Sequence, residues 1–154
     1  MNAIGLNDQP SKELAAKLNT LLANYHVFYI NVRGYHWNIK GEKFFELHAK
    51  FEELYNDVVL KIDEIAERIK TLGETPLHTY TDYLQQSAIT ERKNISAGKE
   101  AVQDILDALK QLLLLEREIL KKSADNGDVG TNALMSDYIR QQEKMVWMYN
   151  AYLS

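Results

Sequence analysis

The chain has 154 residues, 45% of them hydrophobic and 26% charged, with no cysteine and a net charge of −4. That length suits one domain with a buried core, the absent thiols exclude disulfides, thiolate metal sites and cysteine nucleophiles, and the negative balance does not draw the body of the protein to nucleic acid. No apolar run approaches the ~20 residues that span a bilayer, and the first residues lack the basic start and apolar centre of a signal peptide, so the cytoplasm is the default location.

Residues 1–10 read as a short polar arm ending at Pro10, and residues 11–154 as a single helical domain; 2 Pro and 7 Gly suit an all-α chain. Ser11 has the chemistry of a helix cap. It opens a first helix running to about Asn38, with Leu14, Leu18, Leu21, Leu22, Tyr25, Phe28, Tyr29 and Val32 on its apolar stripe. Asn38 to Gly41 is a short turn, so the first two long helices form an antiparallel hairpin. The second helix spans about Glu42 to Leu72, with Phe44, Leu47, Phe51, Leu54, Val58, Ile62, Ile65 and Ile69 facing inward at steps of three and four. Gly73 and Pro76 stop it. A linker follows, with a short helix near Asp82–Gln86 that Thr79 caps. The third long helix runs from about Ser96 to Lys122 and buries Val102, Ile105, Leu106, Leu109, Leu112, Leu113 and Leu120. After the Asn126-Gly127 turn, the last helix runs from about Thr131 to Tyr152 with Leu134, Tyr138, Met145, Val146, Met148 and Tyr149. Four long helices with one longer central connection make a ferritin-like four-helix bundle.

Beside the apolar stripe of the second helix lies another, His48, Glu52, Tyr55, Val59, Asp63 and Glu67, polar at its ends and apolar in its middle. His48 and Glu52 are one turn apart, as are Asp63 and Glu67, so each pair can present two ligands to one metal ion. The pair midpoints are 15 residues apart, roughly 22 Å along a helix, so the pairs cannot share a metal within one chain. Either there are two poor two-ligand sites, or a second copy completes each. In an antiparallel dimer with its two-fold axis near Asp57 and Val58, His48 and Glu52 of one chain face the second acidic pair of the other, and Tyr55 and Val59 form the seam. The hairpin also brings His36 to nearly the height of His48. Imidazole with carboxylate suits Fe, Mn or Zn over Ca or Mg. No Glu-x-x-His motif occurs anywhere, which argues against a di-iron site inside the bundle.

The run His36-Trp37-Asn38, Gly41, Phe45, Leu47-His48, Phe51-Glu52, Tyr55 and Asp63-Glu64-Ile65-Ala66-Glu67-Arg68-Ile69 resembles the signature of the Dps family, the mini-ferritins named for the DNA-binding protein from starved cells. The likeness extends to the helix lengths, the short linker helix and a last helix centred on Trp147. It implies a hollow dodecameric shell of tetrahedral symmetry built from two-fold dimers. It also implies ferroxidase centres in which His36, His48 and Glu52 meet Asp63 of the partner subunit and Glu67 of the partner subunit. There Fe(II) is oxidised, preferentially by hydrogen peroxide and otherwise by O₂, and ferric mineral is stored in the cavity; Zn or Mn can take the place of iron. Glu52 stands where several members have Asp. Trp37 is either a sink for stray oxidising equivalents or an apolar residue packing the interface. Asp128 is either an acid lining an iron-entry pore or the cap of the last helix. Asp125 and Asp137 are weaker pore candidates, and Ala133 occupies a position that is often Asp.

Members that bind DNA use a tail rich in Lys or Arg. Here residues 1–12 contain only Lys12, against Asp8, and the chain ends Tyr152-Leu153-Ser154; direct DNA binding is not expected. His26 reads as a structural or surface histidine and His78 as solvated. The alternatives to an iron-oxidising storage shell are a nucleoid-associated DNA binder with little ferroxidase activity and a helical assembly without chemistry.

Overall fold

The computed structural model describes residues 1–154. The helices are α1 (Asp8–Asn38), α2 (Phe44–Thr71), α3 (Tyr80–Gln86), α4 (Gly98–Asp125) and α5 (Val129–Leu153). The four long ones form the bundle, with α1 packed chiefly on α2 and α4 on α5; α3 lies in the crossover. The stripes expected of α1, α2 and α4 point into one shared core, where Leu18, Phe51, Ile65, Ile105 and Leu112 are fully buried. On α5 the inward face is Thr131, Met135, Tyr138, Gln142 and Tyr149, and Met148, expected inside, is 41% exposed.

The first helix begins four residues earlier than the cap chemistry of Ser11 suggests. Asn7 is extended, and the Ser11 amide already donates to the Asn7 carbonyl at 3.2 Å. Pro10 fits inside the first turn because amides there have no helical acceptor to lose. Ser11 is buried, and its hydroxyl accepts from the Asn2 side chain at 3.2 Å. Thr79, in contrast, caps α3 as expected, accepting from the Asp82 amide at 3.2 Å.

Three asparagines on α1 fasten the crossover to the bundle. Asn19 accepts from the Leu77 amide at 2.8 Å, Asn24 from the Ala88 and Ile89 amides at 3.0 Å each, and Asn31 from the Arg92 amide at 2.9 Å. These contacts satisfy main-chain groups that no helix or sheet pairs. At the other end of the hairpin, the Lys40 amide donates to the Ser96 carbonyl at 2.9 Å, tying the α1–α2 turn to the start of α4. Gly41 holds that turn at φ +112°, a region costly for residues with a side chain. Gly98 lets α4 approach closely, since a Cβ there would lie 2.7 Å from Leu47 Cδ1. The end of the molecule that carries His36 and His48 is therefore braced on two sides.

Candidate metal centre

His36 sits in the last turn of α1 and His48 in the second turn of α2. The hairpin brings their rings into a stack, centroids 3.8 Å apart and 13° from parallel. His36 Nδ1 lies 2.6 Å from the His48 carbonyl, and His48 Nδ1 lies 2.8 Å from the His36 carbonyl. A carbonyl only accepts, so each Nδ1 carries the hydrogen and donates it. In the neutral rings both Nε2 atoms then keep their lone pairs for a metal. Phe44 stacks on His48 at 5.0 Å, and Tyr55 meets the His36 ring edge-on at 5.3 Å. His36 is buried and His48 half-buried, so neither ring is free to swing.

Glu52 is exposed one turn beyond His48, where its Oε1 accepts from the Tyr55 hydroxyl at 3.4 Å. Asp63 and Glu67 are exposed near the other end of α2. The ion pairs made by α2 join Lys43 to Glu46, Lys50 to Glu53, Lys61 to Asp57 and Arg68 to Asp128; Asp63 and Glu67 have none. Nowhere does one chain gather three His, Asp or Glu side chains that could hold a metal. A groove of about 1010 Å³ lies among α1, α2 and the crossover, with Ile30, Val59, Leu60 and Leu84 on its walls and Asp63 also lining it. Val59 and Leu60 are 42% and 65% exposed, a poor state for a monomer in water.

Trp37, beside His36, is 57% exposed, with the Arg33 guanidinium 4.5 Å over its ring. His26 stacks on Tyr83 at 3.9 Å, and His78 is exposed, its Nδ1 3.0 Å from the Pro76 carbonyl.

Of its two readings, pore acid or cap of the last helix, Asp128 takes the cap within the chain. It is 2% exposed and accepts from the Thr131 amide at 3.0 Å, the Thr131 hydroxyl at 2.6 Å and Arg68 at 2.7 Å. Its carboxylate is turned into the chain, away from solvent. The guanidinium packs against Gly130, where a Cβ would lie 2.8 Å from it and force it to shift. Asp125 and Asp137 are exposed, paired with Lys121 and Arg140.

The bundle interior holds a polar layer that the apolar stripes hide. Tyr25 of α1 donates to Glu116 of α4 at 2.5 Å and accepts from Gln142 of α5. From α2, Lys61 enters, 3% exposed and bonded to Asp57 at 2.6 Å and Gln141 at 3.0 Å. Burial pushes the Glu116 carboxyl up to about 7 against the bonds from Tyr25 and Gln142. The sequence signal is an acid at an inward position, one turn after Leu112 and Leu113 and one before Ile119.

The Ferritin family profile, describing a ferritin-like domain, matches residues 15–154. Among curated relatives, a protein of Porphyromonas gingivalis called DNA protection during starvation protein is 37% identical, covering 99% of this chain and 96% of that one. A crystal structure of a Dps protein from Vibrio cholerae O1, described as a member of the ferritin-like diiron-carboxylate superfamily, superposes with a TM-score of 0.99 at 55% identity, covering 100% of this chain and 97% of that one. A Dps from Listeria innocua, soaked with zinc, gives a TM-score of 0.88 at 27% identity, covering 91% and 95%. With the bundle, the crossover helix and these likenesses together, the chain belongs to the Dps family of iron-storing, ferritin-like proteins.

Proposed function

We propose that the protein oxidises Fe(II) at sites shared between two subunits and stores the ferric product inside a hollow dodecamer in the cytoplasm. The observation that carries this reading is the reciprocal bonding of His36 and His48, which aims two lone pairs outward from a chain that supplies no complete ligand set. His36 Nε2, His48 Nε2 and Glu52 bind the incoming iron, and Asp63 of the partner subunit and Glu67 of the partner subunit close the site. Carboxylates and imidazoles of this mixture hold Fe(II), with Zn or Mn as competitors. Hydrogen peroxide is the preferred oxidant and O₂ the slower one. Peroxide takes one electron from each of two Fe(II) ions and, with two protons, leaves as two waters. Iron is drawn in by exposed acids such as Asp137 and Asp125 rather than by Asp128. Direct DNA binding at physiological salt is not part of the activity, since Lys12 is the one basic side chain in residues 1–12; a gel shift at neutral pH without added metal checks this.

The test is Fe(II) consumption with peroxide and with O₂, in the parent and in His36→Ala/Asp63→Ala. Removing one ligand from each half-site should abolish the fast peroxide-driven phase while native mass stays that of the parent assembly. Equal consumption by both proteins would overturn the site.

A further inference from the structure

Within its own chain, Arg33 is a guanidinium without a carboxylate. The four other arginines, at 68, 92, 117 and 140, each pair with an acid; Arg33, half-buried one turn before Trp37, does not. Three rings surround it instead. Its Cζ lies 4.5 Å from the centre of the Trp37 ring and 5.6 Å from those of Tyr29 and Tyr55. One Nη donates to the Tyr29 hydroxyl at 3.2 Å, and Nε is buried with no acceptor. A partly desolvated cation is costly unless something stabilises it, and here that something is the negative faces of aromatic rings. Two of those rings adjoin the candidate centre: Tyr55 contacts His36 and Glu52, and Trp37 follows His36 in the chain.

We propose that Arg33 insulates these aromatic side chains from oxidation. Taking an electron from an indole or a phenol leaves positive charge beside a fixed cation, which opposes it. The inference rests on the iron-oxidising reading of the neighbouring site. One-electron reduction of peroxide by Fe(II) gives hydroxide and hydroxyl radical. The radical can take an electron from the Trp37 indole, leaving hydroxide and an indole radical cation. With Arg33 over the ring that loss is disfavoured, and a second Fe(II) supplies the electron, turning the radical into hydroxide. Arg33 thereby directs oxidising equivalents to iron and away from protein.

The experiment compares the assembled parent with Arg33→Met, which keeps bulk without charge, and Arg33→Lys, which keeps charge without the planar fork. One arm exposes each to radiolytic azide radicals without iron; the other adds Fe(II) and peroxide. Peptide mass spectrometry reads oxidised Trp37 against Trp147, which is 67% exposed and outside the cage, so a partly unfolded variant raises both peptides. The Trp37 to Trp147 ratio should rise on the order of tenfold in Arg33→Met in both arms, as loss of a close cation–ring interaction predicts, and stay near the parent's in Arg33→Lys. An unchanged ratio in Arg33→Met without iron would overturn the proposal. So would a rise in Arg33→Lys equal to that in Arg33→Met, since the side chain would then act as a steric cover. A rise in the iron-free arm alone would instead overturn the iron site beside Trp37, and with it the insulating role in iron oxidation.

Discussion

His36 and His48 are oriented by main-chain carbonyls rather than by carboxylates, so no additional side chain is needed to set the tautomer of either ring. Residues of the same polarity can have opposite effects on the fold, and Glu116 shows this. Fully buried, it holds its proton up to about pH 7, whereas in the unfolded chain it releases it near 4.5. The folded state therefore binds the proton more tightly. Whatever stability this gives is complete below about pH 4.5, declines as pH rises to about 7, and is flat above that. Ionising the buried acid costs about 3 kcal/mol at the upper end of that window. Glu116→Gln should accordingly flatten the pH dependence of thermal unfolding across the window and melt higher than the parent at pH 8. Parallel profiles for parent and variant would show that the acid is already ionised in the fold.

At the scale of elements, helix periodicity makes the bundle legible, because steps of three and four in Leu14 to Val32 or Phe44 to Ile69 have few other interpretations. The two polar pairs on α2 are legible for the same reason: helix geometry converts His48/Glu52 and Asp63/Glu67 into neighbours without further information. Contacts that depend on how helices dock are not legible. The mutual bonds of His36 and His48 require the hairpin to close at one height, and Arg68 reaches Asp128 across the space beside Gly130. The helix start at Asp8 eludes the Ser11 cap chemistry because Pro10 is tolerated inside the first turn. The asparagines of α1 are a similar case, since nothing local distinguishes a residue that fastens a crossover from one facing water. Asn24 is fully buried, donates to the Thr20 carbonyl at 2.8 Å and accepts two linker amides. Asn24→Ala should lower stability by about 3 kcal/mol, since it strands those amides. Hydrogen exchange should localise the loss, with Ala88 and Ile89 exchanging faster while the amides of α2 keep their protection. Uniform acceleration across all helices would mean that the crossover is not a separable unit.

For the whole molecule, the proposed function requires each chain to carry two different halves of a site. This predicts complementation between dead variants. In His36→Ala every shared site lacks one imidazole, and in Asp63→Ala every site lacks one carboxylate, so each variant alone should lose fast Fe(II) oxidation. When the two are dissociated, mixed in equal amounts and reassembled, random pairing makes half of the dimers mixed. In a mixed dimer one site contains both substitutions and the other contains neither, because the His36 side of one chain always meets the Asp63 side of the other. The reassembled mixture should therefore recover about a quarter of the parent rate, as the symmetry of an isologous dimer requires. A site built within a single chain would recover nothing on mixing, and surface-catalysed oxidation would show no loss in either variant. Recovery in the mixture, with native mass confirming reassembly, thus separates a site shared across the seam from every arrangement that a lone subunit could provide.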